Sequence, residues 1–229
     1  IIFLVFYYEK KKEIKIGALL PVSGVNSDYG NSIKKGMDLA IKFFNSDDND
    51  SDIYLKIEYG DTKGDPNLAR KLTDDYINKR KVVAVLGGVE YSDTSAIASV
   101  CGKEKVVFLS SAASSSKLSG FSKYFFRICP SDETEGQMMA ERIANYQFET
   151  FECIERFFEN VVIISEQSDY AENVKVAFVE KFPVLQSKIQ DIIIYNSIIP
   201  DFKNALKILA EKMKTLDNLA IYVLGNSKN

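Results

Sequence analysis

The most constraining feature of the sequence is an alternation of short apolar runs with helical patterns, clearest at residues 82–118. An apolar run at residues 82–86 ends at two glycines, and a second at residues 106–109 ends in a serine-rich loop. The helical pattern between them predicts a parallel βαβ unit, because parallel strands need a long crossover connection. Ligands of open parallel sheets bind beyond the carboxyl ends of the strands. Both loops are therefore candidate binding loops, and the first also opens a helix whose free N–H groups favour an anion.

The same alternation runs along the whole chain and predicts an α/β protein with parallel sheets. Strands are predicted at residues 14–20, 53–59, 82–86, 106–109, 124–129, 161–165, 189–195 and 219–224. Helices are predicted between them, except after residue 109, where a serine-rich loop leads to the next strand. The pattern stays helical from Gly136 to about residue 158. Since Pro130 interrupts the alternation, we expect two lobes, at residues 14–130 and 131–229, the second with only three strands.

Composition excludes several classes of function. The net charge of −3 and the absence of a basic stripe argue against a nucleic-acid partner. The chain has no histidine, which removes the usual catalytic triad and most zinc sites. The three cysteines are widely spaced and are predicted to be inert thiols. An acidic loop at residues 45–52 lacks the glycine and the final glutamate of a calcium loop, so no metal or cofactor is expected.

The first 13 residues begin with eight apolar or aromatic residues and continue into a lysine run. This stretch is too short to span a bilayer, which takes about 20 residues. One interpretation is the remnant of a secretory signal peptide. The other is an additional edge strand or a misassigned start.

Five short motifs, in order along the chain, resemble those of type I periplasmic binding proteins. The closest branch is that of the branched-chain amino-acid (leucine, isoleucine and valine) binding proteins of ABC importers. The motifs are IGALLPVSG at residues 16–24, Asp61 with Asp65-Pro66, Gly87 with Ser92, SSAAS at residues 110–114, and Asp169-Tyr170. Departures from the family pattern include Tyr91, near a position usually filled by a small hydroxyl residue, and Ala171, in place of a glycine.

The resemblance implies two Rossmann-like lobes that close on a ligand, the second of them incomplete. It implies an extracytoplasmic, non-enzymatic protein that binds a small amino acid of branched-chain type, or a related carboxylate, between the lobes. The partner would be the membrane permease of an ABC transporter. The location would be periplasmic or otherwise extracytoplasmic, with a lipoprotein anchor as one alternative.

The resemblance and the loop chemistry together give seven candidate ligand-binding residues. The Ser114 hydroxyl and the backbone N–H groups of Ser92 and Ser114 can donate to a carboxylate, and the Ala112 carbonyl can accept from an ammonium group. Tyrosines offer apolar walls with polar tips. The alternatives are a flexible polar loop for the serine run and simple surface packing for Tyr91. The set is Tyr29, Tyr91, Ser92, Ala112, Ala113, Ser114 and Tyr170.

Two other functions stay open at this point. A ligand-sensing receptor domain of the same fold would share these loops and would continue into a transmembrane or signalling segment. An α/β hydrolase-like enzyme is disfavoured, because the chain has no histidine and no G-x-S-x-G elbow. An S-x-x-K match at residues 114–117 lacks the companion motifs of serine enzymes.

Overall fold

The computed structural model describes residues 11–24, 26–46, 51–149, 154–156, 158–196, 202–216 and 218–225. Contacts between Cα atoms divide the chain into two compact units. The described residues up to Ala113, together with Lys117–Cys129, form the first unit. Ser114–Ser116 and the described residues from Pro130 onward form the second.

The first unit is a five-stranded parallel sheet with three helices. The strands are β1 (Lys12–Leu20), β2 (Ile53–Asp61), β3 (Ala84–Gly87), β4 (Val107–Ser110) and β5 (Phe125–Arg127), in the sheet order β2-β1-β3-β4-β5. The helices are α1 (Ser27–Phe44), α2 (Pro66–Asn78) and α3 (Tyr91–Glu104). The predicted βαβ unit is confirmed, since β3 and β4 pair in parallel and α3 connects them.

Packing of the first unit follows the apolar periodicity of its elements. Leu19, Val85 and Phe108, from three neighbouring strands, form one buried cluster with Tyr76 of α2 and Ile97 of α3. Helix α2 begins where the sequence predicts, because the Asp65 side chain accepts from two backbone N–H groups of the first turn and Pro66 suits the first helical position. Burial of these side chains fixes both helices on one face of the sheet and sets the positions of the loops between them.

The second unit is built around a three-stranded parallel sheet. Its elements are α4 (Asp132–Ala144), β6 (Gln147–Glu149), β7 (Ile154–Arg156), β8 (Asn160–Glu166), α5 (Asp169–Lys181), β9 (Lys188–Tyr195), α6 (Phe202–Thr215) and β10 (Leu219–Leu224). The sheet order is β10-β8-β9. Val161, Ile163 and Tyr222 of this sheet pack against Val174 and Phe178 of α5. The expected α/β class with parallel sheets is therefore confirmed in both units.

The prediction of a continuous helix from Gly136 to about residue 158 is wrong. Helix α4 ends at Ala144, and β6 and β7 pair in antiparallel register. The end of α4 falls at Asn145, a residue type that favours turns over helix interiors. Beyond it, Phe148 and Phe151 are three positions apart, a spacing that also fits a helix, so the local sequence does not signal the strand pair.

The N-terminal apolar run, residues 1–8, falls entirely outside the described residues. Strand β1 begins at Lys12, two positions before the predicted start of the first strand. None of the described helices is long and apolar enough to cross a lipid bilayer.

Candidate functional site

Three loops of the first unit meet at the carboxyl ends of β1, β3 and β4. The Gly88 N–H donates to the Leu19 carbonyl at 3.0 Å, which ties the loop after β3 to β1. The Ser110 hydroxyl donates to the Gly88 carbonyl at 3.2 Å, which ties β4 to the same loop. The Asn26 side-chain amide donates to Glu90 Oε1 at 3.1 Å and joins the loop before α1 to the loop before α3. The predicted binding edge is therefore one hydrogen-bonded surface.

The close approach of these loops depends on two glycines. Gly87 has φ of 127° and Gly88 has φ of 68°, values that side chains with a Cβ rarely adopt. A Cβ at Gly87 would also collide with the Leu19 carbonyl oxygen. The glycines thus allow the backbone after β3 to lie directly against β1.

The serine loop after β4 is organised by Ser110, which is not among the predicted site residues. Its fully buried hydroxyl accepts from the N–H groups of Ala112 and Ala113 at 3.4 and 3.1 Å. The Ala113 carbonyl accepts from Arg127 Nη1 at 3.4 Å. Arg127 was also missed, although one charged residue within the run FFRIC at residues 125–129 is a usable signal. Ala112 and Ala113 therefore belong to an ordered loop, which disfavours a flexible serine run.

The predicted tyrosine and serine at the start of α3 lie at the surface of this edge. Tyr91 is the first residue of α3 and is 40% exposed. The Nζ atom of Lys117 lies 5.6 Å from the centroid of the Tyr91 ring, at the outer limit of a cation–π contact. Ser92 is exposed, and its carbonyl accepts from the Ser95 hydroxyl. Tyr29, also 40% exposed, lies in the first turn of α1.

The opening of α3 already carries two carboxylates of its own. Glu90 is the N-cap residue, and its N–H donates to Asp93 Oδ1 at 3.1 Å. Asp93 is fully buried, and this burial raises the pKa of its carboxyl group, against the opposing effect of backbone N–H donors. The Glu90 carboxylate therefore lies where the helix dipole would attract an anion, whereas burial favours the protonated form of Asp93.

The remaining two predicted residues belong to the second unit. The Ser114 carbonyl accepts from the Asp132 N–H at 3.0 Å, at the start of α4. Tyr170 lies in the first turn of α5, and its hydroxyl donates to Glu135 Oε1 of α4 at 2.7 Å. Burial, and then the bond to Glu135, raise the pKa of Tyr170. Within this unit the Tyr170 hydroxyl therefore links α5 to α4.

Comparison with known proteins decides the family of this chain. The family model for periplasmic binding proteins matches residues 13–183. The chain belongs to the periplasmic binding protein family.

Relatives of this periplasmic binding protein are distant in sequence and longer. An uncharacterized protein of Methanocaldococcus jannaschii is 24% identical over 212 residues, covering 89% of this chain and 48% of that protein. LivJ, the substrate-binding protein of a branched-chain amino acid transporter from Streptococcus pneumoniae, was solved in complex with isoleucine. It is 25% identical, with a TM-score of 0.70 and coverage of 93% of this chain and 57% of LivJ.

A solute-binding protein of an ABC transporter from R. palustris, solved in complex with benzoate, shares the fold. It is 17% identical, with a TM-score of 0.67 and coverage of 93% of this chain and 56% of that chain. This periplasmic binding protein chain therefore spans about half the length of the relatives that it matches.

Other features of this periplasmic binding protein offer less to a ligand. A depression of ≈ 560 Å³ on the second unit is lined mainly by α4 and contains none of the predicted residues; its lining is Pro130, Glu135, Met138, Met139, Glu141 and Arg142.

In the described ranges, acidic and cysteine side chains form no group of three or more that could hold a metal. Cys101 is buried, which raises its pKa to about 12. Cys129 is partly buried and Cys153 falls outside the described residues.

The loop after β1 is held by Asp61, at the carboxyl end of β2. The Asp61 carboxylate accepts from the Ser23 hydroxyl at 2.6 Å and from the N–H groups of Val22, Ser23 and Lys63 at 3.1, 3.3 and 3.0 Å. Partial burial tends to raise the pKa of Asp61, but these four donors outweigh it and hold the pKa below its ordinary value of 3.8. Asp61 is therefore an ionised anchor for the segment that leads to Asn26.

We expect Asp61→Asn to lower the free energy of unfolding by about 1–2 kcal/mol at neutral pH, because the donors lose a charged acceptor. Since the folded-state pKa is depressed, the contribution is present above pH 3.8 and is lost as the pH falls through the folded value. Urea unfolding of both proteins across this pH range measures the difference. Exposed Asp52→Asn is the control, and a difference independent of pH would contradict an ionised anchor.

Tyr170→Phe removes the hydroxyl that bonds Glu135 and keeps the ring. We expect the free energy of unfolding to fall by about 1 kcal/mol, the usual net contribution of one hydrogen bond. Chemical denaturation followed by circular dichroism measures it, with Tyr54→Phe on the exposed face of β2 as the matched control. Equal stability of the two variants would show that the bond between α5 and α4 contributes nothing.

Proposed function

We propose that the chain is part of an extracytoplasmic solute-binding protein of an ABC importer. Its ligand would be a small amino acid of branched-chain type or a related carboxylate. The observation that carries this proposal is the joining of the loops after β1, β3 and β4 into one polar edge, in a chain of the periplasmic binding protein family. Ligands of parallel sheets bind at such edges.

The chemistry of the edge suits a small ligand with a carboxylate and an apolar body. The exposed ring of Tyr91 offers an apolar wall, and the Ser92 hydroxyl offers a polar contact beside it. Isoleucine and benzoate, the ligands named for two similar solved proteins, are both carboxylates with an apolar part. Shared ligand chemistry among distant relatives supports the class of ligand rather than one compound.

The site residues proposed for the whole protein are those that the sequence indicates. Tyr29, Tyr91, Ser92, Ala112 and Ala113 come from the first unit. Ser114 is proposed as a donor to the ligand carboxylate, and Tyr170 as the residue whose ring covers the ligand. The protein would act by binding and release, without catalysis, cofactor or metal. Its partner would be the membrane permease of the importer.

Ser114→Ala tests the role of the serine loop directly. We expect the affinity for L-isoleucine to fall by about 1–3 kcal/mol, because a charged acceptor loses one hydrogen-bond donor. Isothermal titration calorimetry of wild type and variant gives this difference.

The matched control is Ser32→Ala, since the Ser32 hydroxyl bonds only the backbone of its own helix α1. Equal affinities of Ser114→Ala and wild type would remove Ser114 from the site. A wild-type chain that binds neither L-isoleucine nor benzoate would contradict the proposed ligand class.

A further inference from the structure

Strand β10 forms one edge of the sheet in the second unit. It pairs in parallel with β8 along its whole length, from Leu219 to Leu224, and none of the described strands pairs with its other side. Backbone groups of a strand point alternately to its two sides, so about half of the N–H and C=O groups of β10 point away from β8. A row of such groups is a template for pairing with a further strand.

The side chains of β10 alternate between buried and exposed positions. Ala220, Tyr222 and Leu224 are buried in the apolar cluster that the sheet forms with α4 and α5. Ile221 and Val223 project to the opposite face of the sheet and are 43% and 61% exposed. Helix α6 packs on that opposite face and leaves both side chains accessible. The edge therefore combines unpaired backbone groups with accessible apolar side chains.

The other three edge strands of the two described parallel sheets carry features that discourage further pairing. Strand β2 contains Lys56 and Glu58, and β5 is only three residues long and contains Arg127. Strand β9 contains Lys188 and Asp191 and has an irregular register against β8. Strand β10, with the sequence LAIYVL, has no charged residue, no proline and no glycine over six residues. Among these four edges, β10 alone lacks protection against a partner strand.

We propose that β10 is a dimerisation edge, at which two copies of this chain pair their β10 strands in antiparallel orientation. A second copy is the partner that fits, because an uncharged apolar strand pairs with its own sequence without burying or opposing any charge. A two-fold axis perpendicular to the sheet joins the identical edges and joins the two sheets into one of six strands, with the helices of both copies on matching faces. Pairing uses the free edge of both copies, so the assembly closes as a dimer. This inference concerns a surface separate from the candidate ligand site and does not rest on the proposed function.

The two-fold axis also restricts the register of the paired strands. Opposing residues of an antiparallel pair project to the same face, so buried positions must oppose buried positions and exposed positions must oppose exposed ones. The register centred on Tyr222 meets this condition and places Ile221 of each copy directly opposite Val223 of the other. Both exposed side chains of each copy are then covered, and removal of this apolar surface from water favours the dimer.

A charge on the exposed side of β10 tests this dimer. Sedimentation velocity of the full 229-residue chain over a concentration series should show a species of twice the monomer mass. We expect Val223→Lys to raise the dissociation constant of the dimer by about tenfold or more, because the ammonium group would have to leave water beside an apolar side chain. Ile194→Lys is the matched control, since Ile194 is 58% exposed on β9, at the opposite edge of the same sheet, and it should leave the constant unchanged.

A complementary pair of variants tests the register and excludes a folding defect. Ile221→Lys and Val223→Glu, each alone, place like charges in diagonal positions about 7–8 Å apart across the two-fold axis, and each should be monomeric. An equimolar mixture places a lysine of one copy directly opposite a glutamate of the other. We expect the mixture to form a dimer that contains one copy of each variant, because opposite charges in directly opposed positions attract.

Four results would overturn the inference. One is a wild-type chain that stays monomeric at every soluble concentration, and another is a dimer that Val223→Lys weakens no more than Ile194→Lys does. The third is a mixture of Ile221→Lys and Val223→Glu that stays monomeric. The last is a wild-type chain that grows into assemblies larger than a dimer, because a closed two-fold pair leaves no free β10 edge.

Discussion

The close contact of the loop after β3 with the end of β1 is the constraint on which the candidate site depends. Gly87 and Gly88 adopt positive φ so that the Gly88 N–H can reach the Leu19 carbonyl, and the Gly88 carbonyl then accepts from the buried Ser110 hydroxyl. Ser110 in turn holds the amides of Ala112 and Ala113. A chain of hydrogen bonds across three strands thus fixes the loops, in which Ser110 and Ala113 are buried while Tyr91 and Ser92 stay exposed to solvent.

Charged side chains are the second feature of the sheet edge at the carboxyl ends of β1, β3 and β4. Asp61 anchors the loop after β1 through four donors, and Asn26 of that loop fixes the Glu90 carboxylate. The Nζ atom of Lys117 lies 5.6 Å from the centroid of the Tyr91 ring, so the first unit presents an anion, an aromatic side chain and a cation at this edge. A site prepared in this way avoids part of the ordering cost of binding, which is the usual route to affinity for small ligands.

The fold was largely predictable from the sequence, because strand and helix periods are local signals. Strand β10 and helix α2 fall close to their predicted positions, whereas the antiparallel pair of β6 and β7 was missed because the spacing of Phe148 and Phe151 also fits a helix. The contacts that hold the candidate site together were harder to predict from the sequence. The Ser23 hydroxyl and the Asp61 carboxylate are 38 positions apart, and nothing in either local sequence specifies their contact. The approach of Lys117 to Tyr91 likewise appears only once the strands are paired.

The central claim is that the loops after β1, β3 and β4 form the ligand-binding edge of the first unit. A titration of the ¹⁵N-labelled chain with L-isoleucine, followed by two-dimensional NMR, tests it residue by residue. We expect saturable shifts of the amide signals of Gly88, Tyr91, Ser92 and Ala113. Saturable shifts confined to the α4 depression near Met138, or an unchanged spectrum at saturating ligand, would contradict it.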